Sequence, residues 1–485
     1  MYNNLVRHTG RAVVLYLAAA NGSDPMPRNL FSTYSFVAVC MTTSLPGQTF
    51  TKLLDFGEQI GFGTQDALIQ GFDGALYGTT PYGGPYNYGT IFRVSGNSLT
   101  TLHSFDGTDG QQVYAPLVRS LNGKFYGTTS YGGVYNRGTV YEITPDGTFA
   151  TIYSFCADWN GQACLDGEYP SAGLVVANSG DLFGPTQYGG SGSIQNGGGT
   201  IFRITPSGTL TTLYNFCTLG LPCTNGLRPG VPLVQAADGQ FYGSAVLLFA
   251  MGPAGRFHSL GDLPSGIGAG PSALVQAPDG NLYGTTAASD NSDGSVFRLT
   301  PGGEITPIYN FSSQSGYNKS GLVVGSDGNL YGTTSTGGSN GGGTIFKVTL
   351  SGELTTLYNF CSAAKCLDGG GPEATLVQAT NGVFYGTTLV GGTHNEGTLF
   401  SLSVGLGPFV EIQPSAAETG AAVAILGPDL IGTTSVWFNG FPASFKVISK
   451  SLIAATVPDG AQAGTVRVQT PGGTLSSNVP FRVRP

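Results

Sequence analysis

An eight-residue motif that recurs seven times is the feature that most constrains the fold of this 485-residue chain. DGNLYGTT is its clearest copy, and in every copy an aromatic residue precedes the second glycine. Successive aromatics lie 41 to 59 residues apart, at Tyr77, Tyr126, Phe183, Tyr242, Tyr283, Tyr331 and Tyr385. A period near fifty residues indicates a repeat architecture, in which each repeat forms one supersecondary unit.

Each repeat has the pattern of four short strands. Repeat two contains PLVRS, KFYGTTS, TVYEIT and TFATIYSF, divided by the turns LNG and PDG and by the loop YGGVYNRG. Neighbouring apolar residues such as Phe125 and Tyr126 point to opposite faces of a strand, so both faces of each small sheet must be covered. Sheets stacked around an axis cover one another. We therefore predict an all-β fold containing a seven-bladed β-propeller of four-stranded blades, with the octet as the second strand of each blade.

The two ends of the repeat region predict how the ring closes. The seventh repeat stops after its third strand, whereas an orphan segment, TFTKLLDF, occupies Thr49 to Phe56 before the first repeat. An N-terminal strand that completes the seventh blade would close the ring and remove open sheet edges. Repeat four departs from the pattern because VLLFAM follows FYGSA without a YGG loop. This departure predicts a thinner blade and a notch through which a ligand would enter.

Residues 1–48 lie outside the repeats and have the pattern of an export signal, the alternative being a disordered N-terminal segment. Arg7 and Arg11 precede AVVLYLAAA, and a second candidate signal begins at Met26. Neither apolar stretch has the length and apolarity of a stable membrane span. We assign residues 49–403 to the propeller, 404–408 to a linker and 409–485 to a second domain.

Six of the seven cysteines form three local pairs, each directly after the repeat element YSF or YNF. Equivalent placement in three repeats favours disulfides over metal or redox sites, which would need converging ligands. Disulfides require an oxidising compartment, so the protein is expected to be exported to an extracellular, periplasmic or cell-surface location. The pairs are Cys156 with Cys164, Cys217 with Cys223, and Cys361 with Cys366.

Composition and motifs exclude several classes of function. The formal net charge of -8, without any basic cluster, argues against a nucleic-acid partner. The four histidines form no H-x-x-x-H pair, so we assign no catalytic residues, no metal ligands and no cofactor. Calcium binding by the Asp-Gly loops is the alternative to simple turn formation. We expect a monomer.

Antiparallel strands place the long connections on one face of a propeller. We call this the long-loop face: it carries the connections from strand two to strand three and from strand four to the next blade. The opposite, turn face carries the tight DG and PxG turns. Tyrosines among Asn and Gly suit sugar rings or protein surfaces, although a Tyr before Gly-Gly can also fill the gap between blades. The candidate binding residues on the long-loop face are Tyr82, Tyr86, Tyr131, Tyr135, Trp159, Tyr188, Asp166 and Asp368.

The ordered motifs DGNLYGTT, GGGTIFKVT and GELTTLYNF resemble the GloVer tandem repeat, named for Gloeobacter and Verrucomicrobium, from Thr49 to Ser403. The resemblance implies an exported bacterial propeller and brings no established catalytic residues. The last 77 residues resemble an IPT/TIG domain, an immunoglobulin-like sandwich. Val436 to Gly440 match its V-x-F-G-G strand with Asn439 in place of the first glycine, and Ile453 to Pro458 match its I-x-x-x-V-P strand.

These observations predict a non-catalytic surface or extracellular binding or adhesion protein that recognises glycan or protein through the long-loop face. The alternative is a hydrolase or lyase that acts on polysaccharide, since propellers carry both enzymes and binding proteins. An enzyme is expected to show a polar, funnel-shaped centre with converging ionisable groups, whereas a binding protein is expected to show aromatic residues around the rim.

Overall fold

The computed structural model describes residues 47–194, 196–289, 292–317 and 320–484. The expected export signal lies outside these residues apart from its last two positions. The strands of the propeller are β1 (Thr49–Asp55), β2 (Ile69–Gln70), β3 (Leu76–Thr80), β4 (Thr90–Ser95), β5 (Ser98–Ser104), β6 (Val118–Arg119), β7 (Phe125–Thr129), β8 (Thr139–Ile143), β9 (Phe149–Ser154), β10 (Val175–Val176), β11 (Leu182–Thr186), β12 (Thr200–Ile204), β13 (Leu210–Asn215), β14 (Val234–Gln235), β15 (Phe241–Ala245), β16 (Leu247–Met251), β17 (Phe257–Gly261), β18 (Ala269–Pro271), β19 (Val275–Gln276), β20 (Leu282–Ala287), β21 (Ser295–Leu299), β22 (Ile305–Asn310), β23 (Val323–Val324), β24 (Leu330–Thr334), β25 (Thr344–Val348), β26 (Leu354–Asn359), β27 (Val377–Gln378), β28 (Phe384–Thr387) and β29 (Thr398–Ser403).

These strands form seven antiparallel sheets, one for each octet, and the octet is the second strand of every sheet. Six sheets are built from consecutive strands, with β2 to β5 as the first blade; in the fifth blade β18 adds a short extra pairing to β20. The seventh sheet has the order β1-β29-β28-β27, so the N-terminal strand supplies the outer strand of the last blade. The predicted fold class and its closure by an N-terminal strand are confirmed.

Hydrophobic clusters between neighbouring blades hold the ring together. The cluster that contains Tyr77, Ile91, Phe125 and Tyr141 joins blades one and two, and equivalent clusters follow at each later junction. A last cluster packs Leu399 of blade seven against residues of blade one. Each sheet is therefore covered on both faces, which explains why adjacent positions of the second strand are both buried.

Several residues of the octet have a local structural role. In the first blade the Tyr77 hydroxyl donates to Asp73 (2.9 Å), which also accepts from the backbone N–H of Ala75 in the turn. A Cβ at Gly78 would lie 2.5 Å from the Phe92 ring, so the second glycine makes room for the third strand. The last threonine, Thr80, is buried and pairs with the hydroxyl that opens strand three (2.9 Å). These contacts explain why the octet recurs without invoking a ligand.

Blade four is complete, which corrects the expectation of a thinner blade. It has four paired strands, and β15 and β16 are joined by Val246 alone. Val246 has a positive φ of 73° and is 70% exposed. The departure in sequence therefore shortens one loop on the long-loop face and leaves the sheet intact.

The C-terminal residues form a separate sandwich with a core around Val436, Phe438, Ile453 and Val468. The strands of the sandwich are β30 (Glu411–Gln413), β31 (Ala416–Glu418), β32 (Ala422–Leu426), β33 (Ser435–Phe438), β34 (Phe441–Pro442), β35 (Phe445–Val447), β36 (Leu452–Thr456), β37 (Val466–Thr470), β38 (Gly473–Ser476) and β39 (Arg482–Arg484). One four-stranded sheet has the order β30-β32-β36-β35, a second has the order β34-β33-β37-β38, and β31 pairs with β39.

The sandwich packs against the turn face of the propeller. The Ser451 hydroxyl donates to the carbonyl of Phe72 in the first DG turn (2.7 Å), and the Phe409 N–H donates to the carbonyl of Thr380 in the corresponding turn of blade seven (2.9 Å). Arg119 of blade two lies beside Glu411. These contacts use the turn face and do not involve the long-loop face.

Candidate binding site on the long-loop face

A cavity of about 940 Å³ opens on the long-loop face, in the size range typical of small-molecule sites. Its walls come from the segments that lead into the first strands of blades one, two, three, four and seven, and from the loops after β7 and β11. Because first strands are the innermost strands of a propeller, these segments converge on the ring axis. We call this cavity the axial funnel. Its lining residues are Gln65, Asp66, Tyr114, Ser130, Tyr131, Arg137, Glu168, Tyr169, Ser171, Gln187, Tyr188, Asn196, Arg228, Gly230 and Glu373.

The structure divides the aromatic residues expected to bind into two groups. Tyr131 and Tyr188 line the axial funnel, and Tyr82 adjoins it through a 2.5 Å contact between its hydroxyl and that of the lining residue Tyr114. Tyr82 also stacks on Phe62, so its ring fills space between segments as well. Outside the lining are Tyr86, Tyr135 and Trp159, which are 59%, 49% and 56% exposed.

Tyrosine rings follow one another along one side of the funnel wall. The Tyr131 and Tyr169 rings lie 4.9 Å apart and the Tyr169 and Tyr188 rings 5.6 Å apart, both edge to face. Arg137 lies over Tyr169 and Arg228 lies over Tyr188, at 5.4 and 4.7 Å from the ring centroids. We call Tyr114, Tyr131, Tyr169 and Tyr188 the tyrosine wall. The residues equivalent to Tyr131 and Tyr188 in the loops after β24 and β28 are Thr336 and Val390, so these two loops add no tyrosine to the wall.

Asp166 and Asp368 are not exposed, which corrects the expectation that they face a ligand. They are 4% and 7% exposed, and each accepts hydrogen bonds within its own disulfide loop and the strand before it. Asp166 accepts from the Tyr153 hydroxyl (2.7 Å) and the Ala157 N–H (3.0 Å). Asp368 makes the equivalent contacts with the Tyr358 hydroxyl (2.8 Å) and the N–H of Ser362 (2.9 Å).

These two loop carboxylates differ in acidity because their hydrogen bonding differs. Burial raises the pKa of Asp166 despite the hydrogen bonds that it accepts. Burial also acts on Asp368, but hydrogen bonds from Tyr358, Ser362 and the backbone outweigh it and lower the pKa of that carboxyl. Neither group lines the axial funnel.

The three predicted disulfides are present and close loops on the long-loop face. They join Cys156 with Cys164, Cys217 with Cys223, and Cys361 with Cys366. The prediction of disulfides is confirmed.

In the described part of the chain no group of three or more His, Cys, Asp or Glu side chains is placed to hold a metal ion. No helix among the described residues has the length and apolarity needed to cross a membrane.

Charged groups in the funnel are partly paired. Glu168 and Arg137 form an ion pair of 2.9 Å, in which the Glu168 side chain is buried and the Arg137 side chain is half-buried. Burial raises the pKa of Glu168, although Arg137 opposes this effect. Glu373 accepts a hydrogen bond from the Gln65 side chain (2.9 Å). The funnel therefore presents both signs of charge beside the tyrosine wall.

Asp66 lies in the funnel and was missed by the sequence analysis. Its surface is partly accessible, yet protein surrounds it closely enough that desolvation raises its pKa well above the ordinary value of an aspartate. Alignment of the repeats could have found it. In every repeat a leucine directly precedes the first strand. The residue two positions before this leucine is Asp66 in repeat one, and in the other repeats it is Ala115, Ala172, Val231, Ser272, Ser320 and Ala374.

Two residues of the funnel lining have a left-handed backbone. Tyr169 and Arg228 have positive φ values of 57° and 50°, a region that costs a non-glycine residue about 1–2 kcal/mol. Gly63 and Gly371 occupy the equivalent positions of blades one and seven. Gln112, at the equivalent position of blade two, has a φ of 56° and is not part of the lining, so this backbone conformation belongs to the repeat rather than to the funnel.

The family model of the Gloeobacter/Verrucomicrobia repeat matches residues 38–165 and 244–410, more than half of the chain. The chain belongs to this repeat family. The match omits residues 166–243, yet the structure folds that segment into the same four-stranded sheets. The IPT/TIG domain model matches residues 409–483. This combination of repeats and IPT/TIG domain fits an extracellular binding-type protein.

No curated protein matches the chain. Among solved structures, a fungal alcohol oxidase of the AA5 family, determined in complex with copper, superposes with a TM-score of 0.52 and 13% identity over 90% of this chain and 99% of its own. A streptogramin B lyase gives a TM-score of 0.49 and 14% identity over 73% of this chain and 97% of its own. At these identities the likeness to the oxidase concerns the fold alone.

Proposed function

We propose that this repeat protein is an exported, non-catalytic surface or extracellular protein that binds glycan chains through the axial funnel. The observation that carries the proposal is the tyrosine wall beside polar groups. Tyrosine rings offer flat apolar faces to sugar rings, and their hydroxyls offer hydrogen bonds at the edges. A concave, polar cavity suits a sugar chain better than the broad surface that a protein partner needs.

Several features support export. The three disulfides are typical of an oxidising compartment, and the IPT/TIG domain fits a surface-binding protein. The same domain covers part of the turn face through the contacts of Ser451 and Phe409, so a cell surface that holds it would present the funnel outward. We propose that the protein acts as a monomer.

A polysaccharide hydrolase or lyase is the second candidate, and the polar funnel with its ionisable groups is the feature expected above for an enzyme. Asp66 and Glu168 both have raised pKa values because of burial, and carboxyls perturbed in this way are frequent among catalytic acids. Hydrolysis of a polysaccharide usually needs two carboxyl groups that act as a pair. Among the described lining residues, Glu168 is paired with Arg137 and Glu373 accepts a hydrogen bond from Gln65. Asp66 therefore has no free carboxylate as a partner, and this favours binding over catalysis.

The test is a glycan array and a polysaccharide pull-down with the full chain, expressed and processed in a bacterial periplasm, followed by chromatography of every bound polymer. We expect retention without cleavage. Changing Tyr82, Tyr131 and Tyr188 together to Ala should weaken retention at least tenfold, since stacking surface is lost. Changing all three to Phe should preserve most of it.

A matched control changes the outer residues Tyr86, Tyr135 and Trp159 to Ala, which removes three exposed rings outside the funnel. We expect retention within twofold of the wild type. Equal loss in both triple variants would contradict the funnel as the site. Release of shortened saccharides would replace the binding function by the enzymatic one.

A further inference from the structure

The asparagine in the loop between β11 and β12 of blade three departs from the repeat. In the same loop of blades one, two and seven, the asparagine side chain accepts from a loop glycine N–H, at 2.8, 3.0 and 3.1 Å for Asn87, Asn136 and Asn395. In blade three the main-chain carbonyl of Asn196 accepts from Gly189 instead (2.7 Å). The Asn196 side chain is therefore not used within the loop. It is exposed and lines the axial funnel.

Arg228 of blade four is bound to this same loop. Its backbone N–H donates to the carbonyl of Gly198 (2.7 Å), and its guanidinium lies 4.7 Å from the centre of the Tyr188 ring. The Gln187 side-chain nitrogen lies 3.3 Å from the position that a Cβ would take at Gly230, so this glycine admits the amide beside the Arg228 segment. Three N–H-bearing side chains, those of Gln187, Asn196 and Arg228, are thereby gathered around Tyr188 in the funnel lining.

The guanidinium of Arg228 is accessible and has no counterion in the described part of the chain. The residue is exposed, and its side chain makes no ion pair or hydrogen bond with another described residue. The other arginine of the funnel, Arg137, is paired with Glu168 at 2.9 Å. At the position of Arg228, blades one, two, three and seven carry the uncharged residues Gly63, Gln112, Tyr169 and Gly371.

The carboxylates of the funnel lining do not supply the missing counterion. The Glu168 side chain is 8% exposed and held by Arg137. Asp66 and Glu373 lie in the segments that lead into blades one and seven, where Gln65 donates to Glu373 (2.9 Å). Blade four is three blades away from both in the ring. The funnel is therefore polarised, with carboxylates on one side and an unpaired guanidinium on the other.

We propose that Arg228, Asn196 and Gln187 form a subsite for an anionic group of the bound glycan, either the carboxylate of a uronic acid or a sulfate ester. A planar guanidinium can donate two parallel hydrogen bonds to such a group, and each carboxamide adds a neutral donor. The contact with Tyr188 holds the guanidinium in place before the ligand arrives. This inference rests on the proposed glycan-binding function and names the class of glycan, an acidic polysaccharide.

The experiment measures affinity by calorimetry with the full chain, expressed and processed in a bacterial periplasm. The probes are tetramers of galacturonic, mannuronic and glucuronic acid and their methyl esters, which keep the sugar rings and remove the charge. Galactose tetramers with and without sulfate esters form a further pair. We expect the charged member of at least one pair to bind at least tenfold more tightly than the uncharged member. That pair identifies the anion as carboxylate or sulfate.

Arg228→Gln should abolish the difference within that pair and leave the uncharged tetramer within twofold of its affinity for the wild type. Arg228→Lys keeps the charge but not the paired donors, so it should retain part of the difference. Asn196→Asp is isosteric and places a negative charge in the subsite, so it should weaken the charged tetramer at least tenfold. Raising the salt concentration should weaken only the charged tetramer.

Arg256→Gln is the matched control, because Arg256 is an exposed arginine in the turn between β16 and β17, on the opposite face of blade four. It should leave every affinity within twofold of the wild type, and circular dichroism checks that all variants fold. Equal binding of charged and uncharged tetramers, or a preference for the charged one that persists in Arg228→Gln, would overturn the subsite.

The outcomes separate the subsite from the proposed function. If polysaccharides are retained through the tyrosine wall but charge brings no advantage, the subsite fails and the function stands. If charged tetramers bind through Arg228 and no polysaccharide is retained, the subsite stands and the polymer-binding function fails. If neither polymer nor tetramer binds, both proposals fail.

Discussion

The guanidinium of Arg119 lies 2.7 Å from the carboxylate of Glu411 and links the second blade of the propeller to the C-terminal sandwich. Arg119 also donates to the Gln413 side chain (2.9 Å) and lies 4.4 Å from the centre of the Phe72 ring. Its side chain is 3% exposed, whereas that of Glu411 is 40% exposed. The arginine is therefore the buried half of the contact.

This asymmetry predicts unequal effects of the two obvious substitutions. Arg119→Met should lower the free energy of unfolding by about 1–3 kcal/mol, because it removes hydrogen bonds to a charged group at a buried position. Glu411→Gln should cost less than about 1 kcal/mol, because the glutamine oxygen can still accept a hydrogen bond from Arg119 and the replaced carboxylate is 40% exposed, where a charge contributes little. Denaturant unfolding and limited proteolysis between the propeller and the sandwich measure both effects.

Arg467→Met, at an exposed position of β37, is the control for loss of an arginine. We expect it to unfold like the wild type. An effect of Glu411→Gln as large as that of Arg119→Met would contradict the assignment of the arginine as the dominant partner.

Asp66→Asn should stabilise the protein at neutral pH. The pKa of Asp66 is raised in the folded state, so the folded protein holds this proton more tightly than the unfolded chain does. The ionised carboxylate therefore costs stability above its folded pKa, and this cost disappears as the pH falls toward the ordinary aspartate value. Thermal unfolding should show a higher Tm for the variant at pH 8 and a difference that shrinks toward pH 4.

The charged groups that line the funnel with Asp66 are Arg137, Glu168, Arg228 and Glu373. Outside the lining, the buried phenol of Tyr141 lies close enough for the Asp66 carboxylate to raise its pKa. Since all of them remain in the variant, the difference between the two proteins isolates Asp66. A lower Tm for Asp66→Asn at pH 8 would show that the carboxylate is stabilised by contacts in the folded state.

Gly332→Ala should destabilise blade six. A Cβ there would lie 2.7 Å from the Phe346 ring and 3.0 Å from Leu322, both in the core. Overpacking of this kind costs about 1–3 kcal/mol. In Gly302→Ala the added Cβ meets its nearest atom at 3.7 Å, so this exposed position is the matched control. Equal denaturation midpoints for the two variants would contradict the packing argument.

Protein processed in a bacterial periplasm should have its three cysteine pairs protected from alkylation until a reductant is added. Mass spectrometry after alkylation under denaturing conditions measures this directly. Replacing Cys361 and Cys366 together by Ser should cost about 2 kcal/mol, because the closed loop is short. Full alkylation of all six cysteines without reductant would contradict an oxidising location.

Local pattern was sufficient to predict most of the fold. Turn dipeptides, β-branched residues and a period near fifty specify four short strands per repeat, because strand and turn propensities act between residues close in sequence. The orphan strand at Thr49 and the incomplete seventh repeat even predicted the pairing of β1 with β29. The paired cysteines were equally local, since each pair is separated by eight residues or fewer.

The candidate site could be predicted only in part. Tyr82, Tyr131 and Tyr188 were chosen because they stand in recurring loops, and all three lie at or beside the funnel; their role in binding stays a prediction. Asp166 and Asp368 were expected to face a ligand, but the chain folds back and buries them against their own loops. Asp66 was not chosen, because only the folded ring brings it into the lining of the funnel.

The sequence by itself determined the architecture: repeated strands, their turns, the closing strand and the three disulfides follow from interactions within each repeat. The tertiary structure alone decided the candidate site, because the funnel is built from segments of five blades. Contacts between residues far apart in the chain decide which carboxylate is buried and which tyrosines form one wall.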